Sequence, residues 1–160
     1  MKLVTRQEIL DYVTYEEQRK QIREKIMNIK ELRRITVAGV LSFLFENTDT
    51  VRYQIQEMIR VERMVKETDI LHEIKTYNEL LGDSGELGCT LLIEIDDPDE
   101  REEKLTQWLE LTKHLYISLE NKSRIRASLD ERQIGDARLS SVQYIKFNTG
   151  GKHRLQLVQI

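Results

Sequence analysis

The chain has 160 residues, of which 39% are hydrophobic and 33% are charged, so it can bury a core beneath a highly charged surface. Its net charge of −3 gives no general attraction to nucleic acid, and its single cysteine excludes an internal disulfide and iron–sulfur ligation by this chain alone. No stretch resembles a membrane span or a signal peptide, so we expect one cytoplasmic domain over residues 1–160 with no membrane association.

Capping patterns divide the first part of the chain into helices. Thr5 and Glu8 form a capping box, which predicts a short helix directly after Thr5. A second box begins at Thr14 and predicts that a longer helix starts at Tyr15. The apolar residues that follow recur at helical spacing, which supports this second helix.

The middle of the chain predicts a β-hairpin followed by a helix. β-Branched and aromatic residues predict the hairpin over residues 35–45, with its turn at Gly39. Thr48 or Asp49 is expected to cap the next helix. The helical pattern continues beyond a break near residues 66–69.

The last part of the chain is richer in strands. The nearly continuous apolar run Cys89–Ile95 predicts a strand in the centre of a sheet. Asp97 and Pro98 then form a helix start, with Asp97 as the cap and Pro98 in the first turn. Further strands are predicted at residues 115–119, 124–129, 142–147 and 154–158. This order predicts an α+β fold, in which a mainly antiparallel sheet of hairpins packs with about four helices in a single pair of layers.

The segment Leu44–Met58 joins an apolar strand to a helix that is rich in amides and charges. It resembles the signature of a bacterial family known as domain-of-unknown-function family 3501. Similar segments occur at Arg33-Arg34, Tyr77-Asn78, Glu86-Leu87, Thr90-Leu91, Ile93-Glu94-Ile95, Asp97, Glu100-Arg101, Ser141-Val142, Tyr144 and Phe147. The chain departs from the family at Thr48, where Arg is expected, at Cys89, where a small residue is usual, and after Thr149, where members have a longer helical tail. The resemblance implies no assigned activity, but it implies that the gene lies near those for rubrerythrin-type and iron–sulfur redox proteins.

Motifs for metal binding and catalysis are missing from the sequence. The three histidines, His72, His114 and His153, have no His or Cys neighbour at ligand spacing. An all-oxygen metal site at Glu46, Glu57 and Glu62 is disfavoured, because carboxylates on helices usually pair with Arg or face water. The sequence contains no nucleophile elbow, phosphate-binding loop or dinucleotide fingerprint. We therefore expect no metal and no cofactor, and the sequence leans against an enzyme without deciding the question.

Two interpretations of the polar helix face follow from the same residues. In the first, Glu62 lies at the edge of the buried face and pairs with Arg33 or Arg34 in a structural network. In the second, the strand-to-helix junction over residues 46–60 forms a ligand-binding or catalytic site. Its candidate residues are Glu46, Asn47, Asp49, Arg52, Gln56, Glu57 and Arg60.

The sequence favours a non-enzymatic accessory or interaction protein that forms a homodimer or meets a redox partner. Residues 1–36 carry nine Lys or Arg and six acids, whereas residues 94–103 carry seven acids and one Arg. These two regions could attract each other, either within one chain or across a dimer. Nucleic acid ranks below protein partners, because its only support is the basic first helices.

Overall fold

The structure is a computed structural model that describes residues 1–119, 122–129, 137–151 and 155–159, the last of these without their side chains. It contains two compact units. The helical unit comprises Met1–Arg33 and Glu46–Leu81, and the sheet unit comprises Arg34–Phe45 and Gly82–Ile160. That the chain forms one domain stays a prediction. Within the described ranges, no helix is both long and apolar enough to cross a membrane.

The helical unit contains a short 3₁₀ turn and three α-helices. The turn is Arg6–Glu8, and the helices are α1 (Tyr12–Leu32), α2 (Thr48–Val61) and α3 (Glu67–Asn78). The capping box of Thr5 and Glu8 is confirmed, but only a single 3₁₀ turn follows it. A break between the second and third helices is also present, but it lies at residues 62–66, a few residues earlier than predicted.

Two helices begin earlier in the chain than the sequence predicted. α1 starts at Tyr12, because the Asp11 carboxylate accepts hydrogen bonds from the backbone N–H groups of Val13 and Thr14, each at 3.0 Å. The prediction that Thr14 caps this helix is therefore wrong. α2 is capped by Asn47, rather than by Thr48 or Asp49. Asn47 and Thr50 form a capping box, in which the side chain of each residue accepts a hydrogen bond from the backbone N–H of the other.

The apolar side of α2 is the centre of the core of the helical unit. Val51, Ile55 and Ile59 recur every four residues and are almost completely buried. They share one cluster with residues of the N-terminal segment, α3 and the segment after it: Val4, Ile9, Ile70, Ile74 and Leu81. The apolar side of α2 is buried in this core, and the polar side of α2 faces α1.

The sheet unit contains eight strands and two helices within the described residues. They are β1 (Arg34–Val37), β2 (Leu41–Phe45), β3 (Glu86–Ile93), α4 (Pro98–Gln107), α5 (Leu111–His114), β4 (Tyr116–Leu119), β5 (Arg124–Arg126), β6 (Ser128–Leu129), β7 (Val142–Asn148) and β8 (Leu155–Gln159). The start of β8 predicted at Arg154 lies outside the described residues. Each described strand pair is antiparallel, so the predicted α+β fold is confirmed.

The strands divide into two sheets that approach each other at two places. One sheet has the order β1-β2-β3-β7-β6, with β3 in the predicted central position, and the other has the order β5-β4-β8. β5 and β6 are separated only by Ala127, whose N–H donates to the Leu115 carbonyl at 2.9 Å. At the other edge, β1 lies beside β8. The inward side chains form one apolar cluster, which includes Phe43, Leu91 and Phe147.

Candidate functional site

The candidate site residues all lie in the helical unit, at the start of α2 and along its polar side. They do not converge on one point, because they form several separate contacts: Glu46 and Asn47 bind Thr50, and Asp49 binds Arg52, whereas the others bind the N-terminal segment or α1. Their partners come from the N-terminal segment, from α1 and from the first turn of α2 itself.

Glu57 is held by two side chains of α1. Its carboxylate accepts a hydrogen bond from the Tyr15 hydroxyl at 2.5 Å and a two-pronged pair from Arg19, at 2.8 Å from Nε and 2.9 Å from Nη2. Burial works to raise the pKa of Glu57, but the bonds from Arg19 and Tyr15 outweigh it and hold that pKa below its usual value. Burial, reinforced by the Glu57 charge, raises the pKa of the Tyr15 hydroxyl. The three groups form a charge-assisted bridge between α1 and α2.

Gln56 is buried, with 4% of its surface exposed, and both ends of its amide are used. Oε1 accepts from the Leu10 backbone N–H and Nε2 donates to the Leu10 carbonyl, each at 3.0 Å. Asn78 at the end of α3 makes the same pair of bonds to the backbone of Val4, each at 2.9 Å. We call these two contacts the amide clamps. They fix the N-terminal segment over the core at two points.

The outer part of the polar side consists of ion pairs. Arg52 pairs with Asp49 at 2.5 Å and lies 3.7 Å from Glu8, and Arg60 pairs with Glu16 at 2.5 Å. These side chains are partly or fully exposed, and such pairs contribute little to stability. Their effect is to fix the register of α1 and the N-terminal segment on α2.

At the junction, Glu46 and Asn47 are bound to the first turn of α2. The buried Glu46 carboxylate accepts a hydrogen bond from the Thr50 hydroxyl, and the Glu46 backbone carbonyl accepts from Arg33 Nη2 at 3.2 Å. Asn47 Oδ1 accepts from the Thr50 N–H at 2.9 Å, and Thr50 Oγ1 accepts from the Asn47 N–H at the same distance. This local network turns the chain sharply into the helix.

The prediction for Glu62 is wrong. Glu62 is exposed, and it lies at the C-cap, one residue beyond the end of α2 at Val61. Arg33, which was expected to pair with Glu62, instead contacts Glu46. The carboxylate that needs a cationic partner is Glu57, and Arg19 supplies it.

The network is completed by residues that were not among the predicted site residues: Tyr15, Arg19, Asn78 and Leu10. Tyr15 and Arg19 are four residues apart on α1 and therefore lie on one side of it, a signal that could have paired them with α2. Asn78 was noted only as part of the resemblance. Leu10 contributes only backbone groups, so no side-chain pattern could identify it.

Metal-binding groups are scarce in the part of the chain that the structure describes. Among those residues, no three His, Cys, Asp or Glu side chains lie close enough together to hold a metal ion. Cys89 is buried in β3 within the apolar cluster. The position of His153 lies outside the described residues. The expectations that the protein has no cofactor and that residues 46–60 form a ligand site both stay predictions.

Comparison with known proteins gives a family and a fold. A family model described as "Protein of unknown function (DUF3501)" matches residues 3–159. No curated protein matches the chain. A solved crystal structure, described as a novel protein of unknown function from Burkholderia pseudomallei, is 27% identical, with a TM-score of 0.87 over 93% of this chain and 78% of that one.

Proposed function

The chain belongs to the DUF3501 family of proteins of unknown function, as the segment Leu44–Met58 predicted, and from that premise we propose that it is a non-enzymatic cytoplasmic interaction protein that assembles with a second copy of itself. One observation carries the proposal. The candidate side chains at residues 46–60 are bound within the helical unit, whereas apolar side chains at one end of the same unit are exposed.

The exposed apolar side chains lie at the start of α1, at the end of α2 and in the segment between α2 and α3. We call them the apolar rim; they are Tyr12, Val13, Val61 and Val65. The ion pair of Arg60 with Glu16 places the last turn of α2 beside the first turns of α1, so Tyr12, Val13 and Val61 belong to one region, and Val65 follows α2 by four residues. Val65 is 85% exposed. Clustered apolar side chains of this kind mark interaction surfaces on soluble proteins.

The rim suits a second copy of the chain better than a highly charged partner. In a symmetric dimer the same patch of each subunit meets at the interface, so apolar side chains of one copy contact apolar side chains of the other. The nearest charged pair, Arg60 with Glu16, is neutral as a pair, and the following Glu62 and Arg63 carry opposite charges. Two copies can therefore approach without bringing a net like charge together.

Sedimentation velocity tests the proposal over a range of protein concentrations. The unaltered chain is expected to sediment as a dimer, and the double variant Val13→Asp with Val65→Asp as a folded monomer, because each introduced carboxylate would have to be buried at the interface. Leu71→Asp, on an exposed part of α3, is the matched control and should remain dimeric. A monomeric unaltered chain, or a double variant that dimerises equally well, would contradict the proposal.

A redox or iron–sulfur protein is the second partner in this proposal, and its support is the family resemblance. Binding of a purified rubrerythrin-type protein can be measured by interferometry with the chain immobilised. Saturable binding that Val13→Asp with Val65→Asp abolishes would place that partner on the apolar rim. Equal binding by Leu71→Asp is the expected control result.

A further inference from the structure

One outward side of the sheet unit is basic. Residues 122–129 carry three cationic side chains and no acidic one. Alternate side chains of this segment pack against the apolar cluster: Ile125, Ala127 and Leu129. Strand alternation therefore turns Arg124, Arg126 and Ser128 outward, and all three are exposed.

An aromatic ring lies among these cations. Tyr116 on β4 is directly opposite Arg126 in the strand register. The guanidinium carbon of Arg124 lies 4.4 Å from the centroid of the Tyr116 ring, which is stacking distance. The outward side of β4 and β5 thus presents a planar cation stacked on an aromatic ring, with a second cation beside it.

The basic surface continues onto the neighbouring sheet. Ser128 is opposite Lys146 on β7, and its hydroxyl donates to the Lys146 carbonyl at 3.2 Å. Tyr144, two residues before Lys146 and on the same side of β7, is 38% exposed. We call this surface the basic strip; its members are Tyr116, Lys122, Arg124, Arg126, Tyr144 and Lys146.

The charge of the basic strip is not neutralised within the described part of the chain. None of the ion pairs found there includes Lys122, Arg124, Arg126 or Lys146. By contrast, Arg19, Arg52 and Arg60 of the helical unit are each bound to a carboxylate. The whole-chain charge of −3 conceals this difference.

We propose that the basic strip binds single-stranded nucleic acid, DNA or RNA, without sequence preference. Alternate residues of a strand are about 6.7 Å apart, so Arg124 and Arg126 can contact separate groups along an extended anionic chain. Tyr144 and the stacked Arg124 plane offer flat surfaces for unpaired bases, which is how sheet surfaces hold single strands. The sequence alone ranked nucleic acid low because its only support was the basic first helices, where Arg19 is bound to Glu57 in the structure.

Fluorescence anisotropy with labelled oligo-dT and oligo-U tests the proposal. Both should bind, and three phosphate contacts predict a slope of about −2 for log affinity against log salt concentration. Arg124→Gln with Arg126→Gln should weaken binding about tenfold or more and flatten that slope. Lys20→Gln with Lys25→Gln, on exposed positions of α1, makes the same change of net charge and should leave affinity within about twofold.

Each outcome decides the question. A preference for oligo-U over oligo-dT, or equal affinity for both, agrees with the proposal and shows whether the ribose hydroxyl is recognised. The proposal is overturned by the absence of binding to both oligomers at low salt, or by an equal loss in the strip and α1 variants. Binding to phosphatidylserine vesicles without binding to either oligomer would assign the strip to a membrane surface instead.

Discussion

The amide clamps show how single side chains fix an irregular segment of the chain. A backbone N–H and C=O that are removed from water need partners, and the segment before α1 has only one 3₁₀ turn to supply them. Gln56 and Asn78 each satisfy one donor and one acceptor of that segment. This gives a structural reason for Gln56 in the family signature.

Changing Gln56 to Leu should destabilise the protein by about 2 kcal/mol or more, because it keeps the volume and leaves the Leu10 N–H and C=O without partners. Gln54→Leu makes the same change two residues away on a less buried side of α2, and it should alter the free energy of unfolding by less than about 0.5 kcal/mol. Urea unfolding compares the two. Equal effects would show that the clamp has no special role.

Residue-level predictions succeeded where one side chain dominates and failed where candidates compete. Asp97 and Pro98 start α4 as predicted, because Pro98 can occupy few other helical positions. At α1, both Asp11 and Thr14 can cap a helix, and the sequence does not show which of them the preceding turn will position. Glu62 was placed by extending a helical period beyond the point where the helix ends.

At the scale of elements, the stability of the first turn of α2 depends on one capping residue, Asn47. Asn47→Ala should lower the free energy of unfolding by about 1 kcal/mol, because the first turn loses its bond to the Thr50 N–H. Asp49→Ala removes a partly exposed ion pair with Arg52 and should cost about half of that or less. Chemical denaturation of both variants tests the assignment of the cap. A larger effect at Asp49 would contradict it.

The order and type of the elements could be predicted, but the division of the strands between sheets could not. Residues 124–129 were predicted as one strand because apolar and polar side chains alternate without interruption. That alternation persists in the structure, while the chain passes from one sheet to the other at Ala127. The alternation of apolar and polar residues shows which side chains face the core, but it does not show which strand pairs with the segment.

For the whole molecule, the lowered carboxylate pKa values predict a loss of stability in acid. The Lys2 ammonium and the Thr5 backbone N–H lower the pKa of Glu8 from 4.5 to about 2, and the pKa of Glu57 is also lowered. Groups of this kind stabilise the fold above their unfolded pKa and lose that contribution as the pH falls through their folded pKa. The free energy of unfolding should therefore decrease as the pH falls below about 4.5.

Glu73 has the opposite effect on the pH dependence of stability. Burial raises its pKa, so its contribution to the free energy of unfolding becomes more favourable as the pH falls. The net acid slope should nevertheless be destabilising, since more carboxylates are lowered than raised among the described residues. Glu57→Gln should make this slope shallower, as measured by urea unfolding at a series of pH values. A steeper or unchanged slope would argue against the bridge to Arg19.

The polar side of α2 is bound by residues of its own chain, and its innermost ion pair joins Arg19 to Glu57. A double-mutant cycle on Arg19→Met and Glu57→Gln, followed by urea unfolding of the whole protein, measures how strongly these two side chains are coupled. Since they are 2.8 Å apart, their effects should not be additive, and the expected coupling is about 1–2 kcal/mol. Additive effects, with a coupling near zero, would show that this binding within the chain is absent and that Glu57 is available for an external ligand.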